Sequence, residues 1–282
     1  ADLPLSWSTP GFWGFLYRMT AKLLFSRAKL IVAVSRLIAN DLQEHYGVSP
    51  KNIAVIPNPI DGENIRRLLK EPLPADLERI FQGPVVATMG RLTRQKGQWH
   101  LLRAFCAVKK EVPAANLVIL GEGELRGELE ELRHDLSLDE SVHFLGWQKN
   151  PFAFLGRAKL FALSSLWEGL PDALLEAMAC GLPVVSSDCR SGPREILAPL
   201  TDIRTQAESV EDAEYGILVP PFSGEIQNAS QSLSQEEEFL ASSIVRVLKD
   251  PSLHEKLSQK SRERALSHDV GAVIPQWKFL WE

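Results

Sequence analysis

Glu168 and Glu176 are the residues of this chain whose type and spacing most invite chemistry. Between them begins a segment, Pro171 to Cys180, that is apolar almost all round. Pro171 suits the first turn of a helix and Gly181 suits its end. A helix without a polar face is a buried helix, yet this one carries Glu176 in its middle. A buried carboxylate is costly unless hydrogen bonds or a cation satisfy it. Glu168 precedes the helix, in the loop that leaves the apolar run Leu160–Leu163. The free N–H groups of a helix N-terminus suit an anion or a polyhydroxylated ligand. A carboxylate accepts from two adjacent hydroxyls. A ligand with both hydroxyls and phosphates, a sugar nucleotide, fits that set. On residue chemistry alone a second reading stands beside it, in which Glu176 is a structural acid paired with a buried base and Glu168 is a surface residue.

The elements that must position these acids alternate along the chain. Apolar runs at Leu30–Val34, Ile53–Ile56, Val85–Met89, Leu117–Leu120, Val142–Leu145, Leu160–Leu163, Val184–Ser187 and Ile217–Val219 read as strands. Amphipathic segments at Arg36–Tyr46, Gln98–Glu111, Glu124–Leu136 and Phe152–Arg157 read as helices, and 235–282 as helical throughout. Ser35 opens the first of these helices and Gly47 stops it. Strands that are continuously apolar and separated by helices imply an α/β fold, a doubly wound, Rossmann-like parallel sheet covered on both faces. Ligands in such sheets bind beyond the C-terminal ends of the strands. Residues 198–214 and 223–234 read as surface loops or insertions. Pro57-Asn58-Pro59 is a stiff punctuation point and a candidate hinge.

The stretch Trp167-Glu168-Gly169-Leu170-Pro171, continued by Leu175-Glu176-Ala177-Met178-Ala179-Cys180-Gly181-Leu182-Pro183, resembles the Glu-x7-Glu signature of the family 4 glycosyltransferases. Gly90-Arg91-Leu92 with Lys96-Gly97 is similar to a second motif of that family, and Ile56-Pro57-Asn58-Pro59 to its approach to the interdomain linker. The resemblance covers roughly residues 28–222. It implies a GT-B fold and a retaining enzyme that takes its sugar from a nucleotide diphosphate, a uridine donor being favoured. It also implies roles. Glu168 contacts the hydroxyls of the donor sugar and is the catalytic assignment, Glu176 contacts the ribose, and Arg91 and Lys96 hold the diphosphate. Gly90, Gly169, Leu170, Pro171 and Gly192 line the donor, and Trp147 walls the base unless it is a half-buried packing residue. Two cations beside a departing diphosphate can do a metal's electrostatic work in a dry site, so no metal or other cofactor is expected. The expected acceptor is a saccharide or a lipid-linked sugar in cell-envelope synthesis.

The implied organisation is a remnant of an acceptor domain with linker over 1–59, a nucleotide-sugar domain over 60–265, and a C-terminal helix over 266–282 returning toward the acceptor domain. The opening Ala1-Asp2 lacks a Met and reads like the middle of a domain, so a partial sequence is expected. The rival reading is a catalytically incomplete module that binds sugar nucleotides. A phosphorylase is disfavoured because no cofactor-lysine pocket is legible.

Composition sets outer bounds. Thirty-one basic against 36 acidic residues give a net charge of −5, which argues against nucleic acid as a partner. The three cysteines form no CxxC pair and read as buried thiols of a reducing compartment. No apolar run reaches the roughly 18 residues of a membrane span, and a cytoplasmic location follows. Residues 3–40 hold Arg18, Lys22, Arg27, Lys29 and Arg36 without an acid, beside Trp7, Phe12, Trp13, Phe15, Tyr17 and Phe25. That mixture suits a peripheral membrane contact, against the favoured alternative of a piece of the first domain's core. Gly121-Glu122-Gly123 mimics a dinucleotide fingerprint, but its acids would repel a pyrophosphate. It reads as a tight strand–helix turn lining the donor crevice.

Overall fold

The computed structural model describes residues 12–278, without the side chains of residues 12–18 and of Ser26. Trp7, the side chains of Phe12, Trp13, Phe15, Tyr17 and Arg18, and the 279–282 end of the expected C-terminal helix lie outside the described residues.

Helix α1 (Phe12–Arg27), strand β1 (Ile31–Ala33), helix α2 (Arg36–Tyr46) and strand β2 (Ile53–Val55) form a small unit in which β1 and β2 pair in parallel. The expected signals set the limits of α2. The Ser35 side chain accepts from the Ile38 N–H, and Gly47 ends the helix in the left-handed region at φ 68°. The Phe25 ring meets Tyr46 edge-on at 5.1 Å, so part of the basic, aromatic stretch is packed core, while Met19, Leu23 and Leu24 are exposed. No helix among the described residues is long and apolar enough to cross a membrane.

The principal sheet holds β3 (Val85–Met89), β4 (Asn116–Leu120), β5 (Val142–Gly146), β6 (Leu160–Leu163), β7 (Val184–Ser187), β8 (Glu211–Ala213) and β9 (Gly216–Val219) in the order 5-4-3-6-7-9-8. Successive strand residues face opposite sides, and the core follows that alternation. Ala87, Val118, Phe161, Val184 and Leu218 join one apolar cluster, whereas Val86, Leu117, Leu160, Val185 and Ile217 join the other. Burial on both faces is why these strands are continuously apolar. The order departs from sequence order beside β3, which pairs with β4 on one side and β6 on the other. A crevice opens where chain direction reverses in this way.

Three expectations change. Segment 198–214 is not all loop. Its β8 pairs antiparallel with β9, because the two-residue connection Glu214-Tyr215 allows a hairpin and no crossover. The 235–282 helix is broken into α9 (Gln235–Lys249), α10 (Pro251–Leu266) and α11 (Val270–Lys278). Asp250 accepts from the Ser252 and Leu253 N–H groups, and Pro251 cannot continue a helix begun before it. Of the three free thiols only Cys189 is buried, and Cys106 and Cys180 are half-buried.

Segment 223–234 is held by an arginine with no legible signal in the sequence. Arg103, on α4 (Gln98–Glu111), is 1% exposed. Its Nε donates to both oxygens of the fully buried Glu237 on α9, at 3.0 and 3.1 Å, and His100 Nδ1 lies 2.8 Å from the same carboxylate. The remaining guanidinium nitrogens donate to the carbonyls of Asn228, Gln231 and Ser232. Burial alone would raise the Glu237 carboxyl, but the hydrogen bonds from His100 and Arg103 outweigh it and hold it below its ordinary value.

Candidate functional site

Two loops separated widely in sequence meet beyond the ends of β3 and β6. The first runs from Gly90 to Gly97 and ends in a single helical turn, Arg94–Lys96. Gly97 stops that turn at φ 57°, and a Cβ there would stand 2.4 Å from the Ser164 carbonyl oxygen. Only glycine permits this conformation and approach without strain. The second loop, Ser164 to Pro171, is laced to the first. Leu166 N–H donates to the Gln95 carbonyl at 2.8 Å, Ser164 Oγ to the Lys96 carbonyl at 3.0 Å, and Gln95 Nε2 to the Trp167 carbonyl at 3.0 Å.

This lacing brings Lys96 Nζ to 2.6 Å from Glu168 Oε1. Ser165 Oγ donates to the same oxygen at 2.6 Å, and Gln95 Nε2 reaches Oε2 at 3.4 Å. Behind Glu168 passes a third loop, from the end of β7. Glu168 N–H donates to the Arg190 carbonyl at 2.9 Å, and Ser191 N–H returns to the Glu168 carbonyl at 2.9 Å. Glu168 is thus fixed by backbone as well as side chain.

A cavity of about 300 Å³ opens here, and Arg91, Lys96, Glu168, Gly169 and Leu170 line it. The sequence-predicted residues that come together are these five. Gly90 lies behind them, where a Cβ would meet the Lys96 stem at 3.2 Å. Pro171 sits at the N-terminus of α7 (Asp172–Ala179), and Gly192 at φ 95° packs against it, 2.6 Å from the position of a Cβ to Pro171 Cδ. Neither lines the cavity. Trp147 stands apart and is 74% exposed, so the alternative of a half-buried packing tryptophan does not hold. The Gly121–Gly123 turn also stays outside the cavity. It buttresses the first loop instead: Leu92 N–H donates to the Glu122 carbonyl at 2.9 Å, and a Cβ on Gly121 would lie 2.0 Å from the Gly90 carbonyl oxygen.

Glu176 lies half-buried on α7, one turn beyond Asp172, and outside the cavity lining. Burial first, and the neighbouring Asp172 second, push its carboxyl up to about 7. It has no hydrogen bond or ion pair among the described residues, so the structural-acid alternative finds no buried base. Asp172 itself accepts from Asn58 Nδ2 at 3.0 Å, which ties the hinge turn to α7.

Several lining residues escape sequence reasoning. Asp41 of α2 pairs with Arg190, and both line the cavity, as do Gln95, Asn58 and Ser191. Gln95 stands beside Lys96 and could have been found by adjacency. Asp41 and Arg190 could not, because nothing local links them. Glu195 reaches an element far away in the sequence. Its oxygens accept from the Arg36 and Leu37 N–H groups at 2.7 and 3.0 Å, closing the N-terminus of α2 from across the cleft.

The model of the family described as "Glycosyl transferases group 1" matches residues 72–264, and that of "Glycosyltransferase Family 4" matches residues 4–64. An uncharacterized glycosyltransferase of Methanocaldococcus jannaschii is 36% identical over 99% of this chain and 70% of its own length. The N-acetylgalactosamine-N,N'-diacetylbacillosaminyl-diphospho-undecaprenol 4-alpha-N-acetylgalactosaminyltransferase of Campylobacter jejuni is 30% identical over 92% of this chain and 61% of its own length. Among solved structures, Anabaena HepE in complex with UDP and glucose superposes with a TM-score of 0.73 at 22% identity, covering 94% of this chain and 66% of that one. Sucrose-phosphate synthase of Thermosynechococcus elongatus gives 0.73 at 22% identity, covering 95% and 61%. The fold is the GT-B type α/β arrangement shared with these structures.

Proposed function

The chain belongs to the glycosyl transferases group 1 family, and from that premise we propose that it carries the donor site of an enzyme moving a sugar from a nucleotide diphosphate, UDP being favoured, to an acceptor hydroxyl. The carrying observation is the Lys96–Glu168 pair on the wall of a cavity that Arg91 also lines. Cations and a fixed carboxylate in one cleft match a ligand with a diphosphate at one end and hydroxyls at the other. Arg91 and Lys96 take the diphosphate without a metal, Glu168 orients the sugar and Glu176 takes the ribose hydroxyls. Transfer proceeds with retention. The acceptor oxygen bonds to the anomeric carbon on the face from which the nucleotide diphosphate leaves, and the departing phosphate takes the acceptor's proton.

The Campylobacter relative, named for an undecaprenol diphosphate acceptor, supports a lipid-linked saccharide as acceptor and a place at the inner face of the cytoplasmic membrane. The chain spans 70% and 61% of the two relatives' lengths, and the activity proposed is that of the whole protein.

A thermal-shift panel of UDP-, ADP- and GDP-sugars tests the donor site. A donor at 100 times its Kd stabilises by about 2.7 kcal/mol, which raises Tm by about 4–5 °C for a chain of this size. A flat panel refutes the proposal.

A further inference from the structure

The cleft treats its two cations differently. Arg91 makes no side-chain hydrogen bond or ion pair among the described residues, although it lines the cavity. Lys96 is already engaged, at 2.6 Å from Glu168 Oε1, with the two side chains only 16% and 5% exposed. The two oxygens of Glu168 also differ. Oε1 accepts from Lys96 and from Ser165, a fully buried hydroxyl, whereas Oε2 receives one long contact from Gln95. One oxygen is saturated and the other keeps room for further donors.

We propose that the Lys96–Glu168 pair is an exchange switch by which the site distinguishes a sugar-bearing nucleotide diphosphate from the bare nucleotide diphosphate left after transfer. The inference rests on the donor-site reading above. A diphosphate seated on Arg91 draws Lys96 toward it. Glu168 then loses its cation inside a largely desolvated cleft, and an unpaired buried charge is costly. The hydroxyls of a donor sugar offset that loss by donating to Oε2 and to the freed part of Oε1. A bare nucleotide diphosphate has no hydroxyls to place there, so it carries the cost in full. Ser165 keeps the carboxylate in register while Lys96 moves, because its own carbonyl is held by Ser187 Oγ at 2.6 Å. Glu168 therefore acts twice on one ligand set: it favours the intact donor and helps expel the spent one.

Calorimetry of UDP binding to the full chain tests this. Glu168→Gln removes the charge that holds Lys96 and should tighten UDP by about tenfold, the equivalent of one charge-assisted hydrogen bond released. Glu168→Ala reads the same release should the Gln variant fold poorly. In a Lys96→Met background there is no cation to free, so the same change at Glu168 should give a clearly smaller gain. Unchanged or weaker UDP binding in both Glu168 variants overturns the switch. So does an equal gain with and without Lys96, since that would be plain repulsion by Glu168. If the wild-type chain binds none of UDP, ADP and GDP, the donor-site reading itself falls and the switch with it.

Discussion

Replacing Glu176 by Gln should stabilise the free protein by an amount that grows as pH rises above about 4.5 and is full above about 7. The carboxyl sits half-buried on α7 with no partner among the described residues, and burial with the nearby Asp172 pushes it from the ordinary 4.5 up to about 7. The folded chain therefore holds a proton that the unfolded chain has released across that interval. Stability must fall as pH rises from about 4.5 to about 7 and stay reduced above it, because the unfolded state binds fewer protons there. At about 1.4 kcal/mol per pH unit the full effect is about 3 kcal/mol, and partial solvent access trims it to about 2–3. Gln mimics the neutral acid in shape and removes the titration. Urea unfolding of both proteins from pH 4 to 8.5 gives the comparison. The stability difference between Gln variant and wild type should be flat below about pH 4.5, then grow by about 2–3 kcal/mol in favour of Gln by pH 8. A difference that does not change with pH refutes the reasoning, whatever its absolute size. Where the difference grows with pH as expected, the native acid is a cost retained for the ligand, and the Gln variant should also bind UDP more weakly.

Three further outcomes follow from other parts of the structure. Arg91→Ala should weaken UDP binding by about tenfold or more in calorimetry while leaving the urea midpoint in place, since the side chain holds no other residue among those described; equal affinity would remove Arg91 from the site. Arg103→Ala should lower unfolding stability by about 3–5 kcal/mol, because it strands the buried Glu237 and frees the 228–232 strap; a loss under about 1 kcal/mol in urea melts would contradict the buried network. Gly121→Ala should cost about 2 kcal/mol or more, since a Cβ would stand 2.0 Å from the Gly90 carbonyl oxygen at φ 136°. It should also weaken UDP binding by displacing the Arg91 loop, and a variant normal in both melts and calorimetry would show that the close approach is not required.

Much of the fold was legible because the signals are local. Strands β3, β6 and β7 and helices α2 and α4 lie where apolar runs, amphipathic spacing, Ser35 and Gly47 place them. The breaks missed in the C-terminal region were also local: Asp250-Pro251 is a cap followed by a helix-starting proline. It was hidden by the charged, helix-favouring residues on both sides. Strand β8 was hidden differently, since Glu211-Asp212-Ala213 has no apolar pattern and becomes a strand only by borrowing the edge of β9.

For the site, the sequence alone determined which residue types are present and on which loops they ride. Glu168 follows β6, Arg91 and Lys96 follow β3, and the C-terminal ends of parallel strands are where ligands bind. What it could not determine is that β3 and β6 are neighbours. Strand adjacency is chosen by packing and pairing between segments far apart in the chain, and no helical or strand period encodes it. That choice puts Lys96 on Glu168 and leaves Trp147 on open surface, while the packing of the small β1–β2 unit against the principal sheet puts Asp41 on Arg190 and Glu195 on the N-terminus of α2. The acids and cations were written in the sequence, but their pairing was settled by strand order and by the packing of the two sheet units, because Coulomb and hydrogen-bond energies depend on distance in space and not along the chain.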